Sequence, residues 1–495
     1  MHSFFRHASS ATPTAAEAGS GDAVTARSRL IKFTNCRLLR GGALCTGEDL
    51  WVKDGVVADP QTLFWEGQVP DEVVDCKGRI LAPGFIDLQV NGGWGVDFST
   101  PGNDLASGLG IVAKKLLATG VTAFLPTVIT SSTDAYRAIL PELVPTSGSI
   151  DGAAVLGVHL EGPFIAPEKK GCHPIEHVVP PDGTCADGAD SVLKRACGEH
   201  LAHVRLMTLA PELPGATELI SELVASGVLV SAGHSNATAK QMQSAHAAGV
   251  RMVTHLFNAM PAFSPREPGI VGVLGSTLDP PLFFGLIADG VHVHPASVKL
   301  AAAARPDGVV LVTDGIVAMG LPEGEYYFGE GKVHVVEGGR AYKAGTTTLA
   351  GAVVTLDECV RRFRAMTGAS VVAALEAASL HPAQAIGISG KKGALEVGAD
   401  ADVVLVDDAL HVHATYIGGE RVWSRGDAHA TSPAVAQASI RAAVAGKANG
   451  TANGHGGTHP PPPLLDPGSG TRSDAARGAA PKAAGGQHPR KRKQR

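Results

Sequence analysis

Eight short apolar runs, almost all closing on polar residues, constrain the fold of this chain more than any other feature. They are GFIDLQVNG (84–92), VTAFLPTVI (121–129), AVLGVHLEG (154–162) and HVRLMTLAPE (203–212), then VLVSAGHS (228–235), RMVTHLFNAM (251–260), FGLIADGVH (284–292) and VVLVTDGI (309–316). Stretches with helical spacing fill the gaps, such as NDLASGLGIVAKKLLATG and ATELISELVASG, which end on a Gly suited to a helix C-cap. Strands alternating with helices predict parallel βα units. Eight such units predict an α/β fold of the (β/α)8 TIM-barrel type. The C-terminal strand ends of a barrel converge on one mouth, so Gln89, Asn91, His159, Glu161, His234, His255, Asn258, Asp289, His292 and Asp314 would face one another. A turn or cap explains any one of these residues, but not the whole set.

Segments on both sides of the runs alternate apolar and polar residues with turns between them. Neither makes a core alone, so residues 29–82 and 394–426 are expected to pair into one small β-sandwich domain beside a barrel of 83–393. Residues 320–345 read as a hairpin inserted after the eighth run. The ends, 1–28 and 427–495, are Gly-, Ala- and Pro-rich without apolar periodicity and are expected to be disordered.

A net charge of -5 over 495 residues gives no strong pull toward nucleic acid. No apolar run approaches the roughly 20 residues of a membrane helix. Seven cysteines (36, 45, 76, 172, 185, 197 and 359) without a C-x-x-C pair suggest reduced thiols, and so a cytoplasmic protein. An Arg- and Ser-containing N-terminus and a terminal RKRKQR leave organelle targeting or nuclear import as weaker alternatives.

Glu161, His234 and His255 end the third, fifth and sixth runs, and a carboxylate with two imidazoles is a standard catalytic Zn2+-type donor set. Asp314 in LVTDG is placed to move protons, although an Asp-Gly turn accounts for it too. His173 in KKGCHP reads equally as an oxyanion donor or a surface-loop histidine. His292 and His294 alternate on the seventh run and would share a strand face, with His292 the better substrate contact. His411 and His413 lie in the small sheet region and read as structural. Arg266 in SPREPG is either an anion anchor or a solvated loop residue. No phosphate-cradling P-loop or dinucleotide GxGxxG in strand–turn–helix context is present.

The segments APGFIDLQVNG, HLEGPF, KKGCHP, SAGHSNA, THLFNAM, REPG, ADGVHV, VTDG and TLAGA, in this order over residues 29–425, resemble the N-acetylglucosamine-6-phosphate deacetylase family of the amidohydrolase superfamily. The resemblance implies hydrolysis of N-acetylglucosamine 6-phosphate to glucosamine 6-phosphate and acetate in amino-sugar catabolism. It assigns Glu161, His234 and His255 to a divalent metal, Asp314 to acid/base work and His173 to the oxyanion. Substrate contacts would fall on Cys172, Asn258, Ala259, Arg266, Asp289, Gly290, Val291, His292, Leu349, Ala350 and Gly351. Phosphate would be held by Arg266 and His292, in some members across a dimer interface, so a homodimer with a sugar-phosphate substrate is expected, with no nucleic-acid or membrane partner.

Most amidohydrolases carry H-x-H at the end of the first strand, where this chain has Gln89 and Asn91. Amides are poor Zn2+ ligands beside imidazole and carboxylate, so one ion is expected rather than two. Zn2+ is the first choice, with Fe2+, Mn2+ or Co2+ as alternatives. Cys172 stands where the family is often small and apolar, which raises the expectation of oxidation sensitivity. Two rivals are an amidohydrolase of cyclic amides, against which the missing H-x-H argues, and a non-catalytic scaffold, against which the four intact site residues argue.

Overall fold

The computed structural model describes residues 28–102, 104–181, 192–329, 331–336 and 338–426. The disorder expected of 1–28 and 427–495 therefore lies outside the described residues, Ser28 apart, and so does Cys185.

The eight runs form eight parallel strands: β1 (Phe85–Val90), β2 (Val121–Ile129), β3 (Val158–Glu161), β4 (Val204–Leu209), β5 (Leu229–Ala232), β6 (Met252–Val253), β7 (Phe283–Leu286) and β8 (Val309–Leu311). Each pairs with the next in chain order. A parallel bridge between Val90 and Gly315 and the Asp314 N–H donating to the Gln89 carbonyl (2.9 Å) bring β8 back to β1. The TIM barrel is thus closed. Helices face it with apolar stripes. In Leu105–Leu116 the buried Leu105, Leu109, Val112 and Leu116 recur at helical spacing, and Asp104 caps the start by accepting from the Ser107 N–H.

The third run is cut short. Gly157, at φ +136°, separates Ala154–Val155 from β3, and a Cβ there would meet the Arg205 side chain at 2.2 Å. The seventh strand stops at Leu286, so His292 and His294 do not share a strand face as expected. His294 instead caps the helix Pro295–Ala304, its Nδ1 accepting from the Ala296 N–H.

Both flanks feed a β-sandwich. Val403–Val406 pairs antiparallel with Ile80–Pro83 in a six-stranded sheet, and Leu30–Thr34 sits within a four-stranded one. Phe33, Leu50, Leu81 and Val403 fill the core they share, where Phe33 meets Tyr416 edge to face at 5.0 Å. The segment after β8 is not a single hairpin but a three-stranded meander of Gly324–Phe328, Gly331–Val336 and Arg340–Lys343. Gly338 and Gly339, at φ +81° and +72°, make the second turn.

His159, expected among the residues at the mouth, instead belongs to a polar network buried inside the barrel below it and does not line the cavity. His159 lies 3.3 Å from the Thr127 hydroxyl through Nδ1 and 2.8 Å from the Thr208 hydroxyl through Nε2. The Thr208 hydroxyl continues to Thr254 (2.7 Å), which reaches Ser231 (2.6 Å). Burial lowers the His159 pKa to about 4, so its ring is neutral at ordinary pH. The network ties β2, β3, β4 and β5 together just below the strand ends. Thr208→Val keeps the shape but strands two buried polar partners. It should cost about 1–3 kcal/mol in urea denaturation, and no loss would show that the network is not holding these strands.

Candidate functional site

Glu161 is the last residue of β3, and His234 and His255 follow β5 and β6 by two residues each. All three are buried. Glu161 Oε1 is 3.2 Å from His234 Nε2 and 2.9 Å from His255 Nε2, and the two Nε2 atoms are 3.0 Å apart. Three donor atoms so close match the edges of a polyhedron around one small cation, since ligand bonds of about 2.0–2.2 Å place ligands roughly 3 Å apart. Hydrogen bonds from the two histidines and their charge outweigh burial and hold the Glu161 carboxyl well below its usual range.

Glu161, His173 and His234 also lie within 4.8 Å of one another, so His173 needs separating from the donor set. Hydrogen bonding separates them. His234 Nδ1 meets the Lys169 carbonyl at 2.7 Å and must donate to it, which leaves Nε2 with a lone pair for a cation. His173 Nδ1 accepts the Thr130 backbone N–H at 3.3 Å, so its proton sits on Nε2, 3.9 Å from Glu161 Oε2. Burial pushes its pKa well below the ordinary value, so the ring is a neutral N–H donor. Of the two sequence readings, the surface-loop histidine is excluded, because His173 is 2% exposed.

Asp314 stands across the mouth with Oδ1 held by Asn91 Nδ2 (2.7 Å) and Gln89 Nε2 (3.2 Å). The same Gln89 amide donates to Glu161 Oε1 at 2.9 Å. Its N–H groups are thus both turned toward carboxylate oxygens. Burial first, and the Glu161 charge second, push the Asp314 pKa up to about 6. That value suits a group that takes and returns a proton near neutrality. Behind it Asp87, raised by burial to about 7, accepts from the Thr313 hydroxyl at 2.6 Å and fixes the residue before Asp314. His234, His255, Ala259 and Asp314 all have positive φ (48°, 30°, 50° and 50°), a conformation costly for such residues and concentrated at functional sites.

The cavity above these groups holds about 290 Å³ and is lined by Cys172, His173, Asn258, Ala259, His292, Leu349 and Gly351 among others. His292 Nδ1 is fixed by Asp289 Oδ2 (2.7 Å), while Asp289 Oδ1 accepts the Val291 and His292 N–H groups. Gly290 lies in that turn and supplies its positive φ of 75°. His292 Nε2 is buried without a protein partner. Ala350 is buried beside the cavity, and Gly351, at φ +67°, leaves no room for a Cβ, which would approach the Asp314 carbonyl to 2.8 Å. Arg266 is exposed and does not line the cavity. Burial pushes the Cys172 thiol up to about 12, which leaves little thiolate and argues against the expected oxidation sensitivity. Sequence reasoning missed Glu168, Lys169 and Phe328 in the lining, and the Asp87–Thr313 bond beneath it. Lys169 opens the KKGCHP motif and Glu168 directly precedes it, but nothing in the sequence signals Phe328 or Asp87–Thr313.

The amidohydrolase family profile matches residues 80–422. The N-acetylglucosamine-6-phosphate deacetylase of Bos taurus is 52% identical over 402 residues, covering 80% of this chain and 97% of the relative. The Homo sapiens enzyme of the same name is 50% identical over 407 residues, covering 81% and 98%. The crystal structure of the N-acetylglucosamine-6-phosphate deacetylase from Pasteurella multocida is similar at a TM-score of 0.69 and 30% identity, covering 80% of this chain and 100% of that one. Among the described residues no helix is long and apolar enough to cross a membrane.

The two histidine assignments make opposite demands. His255→Ala should weaken Zn2+ affinity, measured by competition with a chelating dye, by more than the ~10–100-fold typical of residues one layer out. His173→Ala should fall within or below that range, and equal losses would put His173 among the ligands.

Proposed function

The chain belongs to the amidohydrolase family, as an N-acetylglucosamine-6-phosphate deacetylase, and we propose how its residues divide the hydrolysis of the acetamide of N-acetyl-D-glucosamine 6-phosphate. The observation that carries the reading is the meeting of Glu161, His234 and His255 within 3.2 Å, opposite a proton-active Asp314 and a neutral N–H donor on His173. We assign catalysis to 83–393, with 29–82 and 394–426 as its supporting β domain.

Glu161, His234 and His255 would hold one divalent ion, Zn2+ by the chemistry of the set. When bound, such an ion supplies Lewis acidity to the amide carbonyl and acidifies water beside it. Asp314 takes the proton of the attacking water on the carboxylate oxygen that Gln89 and Asn91 leave free. His173 Nε2–H donates to the oxygen of the tetrahedral carbon, where charge develops. The same Asp314 then delivers its proton to the departing amine, so the amide C–N bond breaks to acetate and glucosamine 6-phosphate. Asn258, Ala259 and the Leu349–Gly351 segment position the sugar, and Asp289 orients His292 toward it.

Arg266, lying outside its own cavity, suits a contact to the phosphate in the neighbouring subunit of a homodimer. Free cysteines at all six described positions support the reducing cytoplasm as the compartment.

Acetate release from N-acetylglucosamine 6-phosphate by metal-loaded protein tests the reading. Asp314→Asn should keep its metal and lose at least about 100-fold in kcat, the lower end of what a general acid/base supplies, and near-normal turnover would remove Asp314 from its role. Arg266→Ala should raise KM with kcat little changed, the signature of lost uniform binding. An unchanged KM would rule out the phosphate contact.

A further inference from the structure

A second cavity, of about 220 Å³, opens beside the catalytic one and shares Ile129, Cys172 and Phe328 with it. Nothing in the mechanism uses it. Its inner wall is apolar, with Ile129, Phe328 and Val333 buried. Its rim carries Lys170, Lys332 and Lys343 against Glu176 alone, among the described residues. These ammonium groups are poorly neutralised. Among the described residues Lys170 donates only to the Gly171 and His173 carbonyls, whereas Lys332 sits over the exposed Tyr327 ring on the outer face of the meander, 4.0 Å from Glu325. Lys343 makes no ion pair among the described residues. The pocket is therefore greasy inside and cationic at its edge.

Its position in the barrel says which part of a substrate it meets. Ile129 ends β2 and Cys172 follows β3, whereas Asn258, Ala259 and His292 follow β6 and β7. In an eight-stranded barrel the second and third positions lie opposite the sixth and seventh. A sugar held on the β6–β7 side, with its amide carbon at the metal-type donor set, sends the acyl group toward β2 and β3. An acetyl methyl would end at Cys172 and Ile129, and the second cavity continues from there.

We propose that this cavity is an acyl-extension subsite, taking N-acyl groups longer than acetyl that end in a carboxylate. The inference rests on the deacetylase reading. Methylene groups would lie against Ile129, Phe328 and Val333, and the terminal carboxylate would meet Lys343, the cross-strand partner of Val333 on the same face of the meander, in a charge-assisted hydrogen bond. The chemistry is unchanged: the amide C–N bond breaks, the water oxygen joins the acyl carbon, its proton goes to the amine, and a dicarboxylate leaves in place of acetate.

The test compares kcat/KM of the metal-loaded full chain on the N-acetyl, N-butyryl and N-succinyl derivatives of glucosamine 6-phosphate. The last two have equal carbon number and differ in the terminal charge. The succinyl compound should be cleaved faster than the butyryl one. In the Lys343→Ala variant the succinyl-to-acetyl ratio should fall by about tenfold or more, while the butyryl-to-acetyl ratio moves little. Lys343→Arg should retain most of the succinyl preference. Cleavage of the acetyl but not the succinyl compound, or a ratio indifferent to Lys343, would overturn the subsite. Failure to cleave the acetyl compound would overturn the deacetylase reading and this inference with it.

Discussion

Two carboxylates, Glu161 and Asp314, are buried at one barrel mouth, and the rest of the site is organised around that cost. Like charges in a low-dielectric setting destabilise one another unless donors or cations intervene. The protein answers unequally. Glu161 faces two imidazoles and stays ionised, whereas Asp314 receives only neutral amides and has its pKa pushed up to about 6. Gln89 spans the two with one NH2 group. In the proposed division of roles one carboxylate becomes a ligand and the other a proton carrier, by environment rather than by residue type.

Holding these groups in place takes backbone distortion at the strand ends. His234, His255 and Asp314 adopt positive φ just where regular strand pairing stops. Such conformations persist only when their surroundings over-determine them. The Lys169 carbonyl on His234 and Asp87 on Thr313, the residue before Asp314, hold two of them. Each also fixes a tautomer or an orientation, so local stability and chemistry have the same source.

Much of this was legible in the sequence. Eight apolar runs, almost all with polar ends, specified the barrel, because a strand buried on both sides must be apolar while its mouth need not be. Glu161, His234, His255 and Asp314 stood out for the same reason. The split at Gly157, the early end of β7 before His292 and the third strand of the meander were not legible, since they depend on local φ and on cross-strand partners. The role of His173 was open between two readings because tautomers are set by neighbours 43 residues away, such as Thr130. Asp87 is an ordinary strand residue until Thr313 is seen against it. Arg266 is the converse case, prominent in a motif yet outside the cavity of its own chain.

The central claim is that one ion binds to Glu161, His234 and His255, with His173 beside it as a donor and the Gln89 amide excluding a second. Anomalous diffraction at the zinc edge from reconstituted crystals tests it most directly. A single peak within about 2.2 Å of Glu161 Oε1, His234 Nε2 and His255 Nε2 is the predicted result. A second peak beside Gln89 and Asn91, or one bonded to His173 in place of His255, would contradict it.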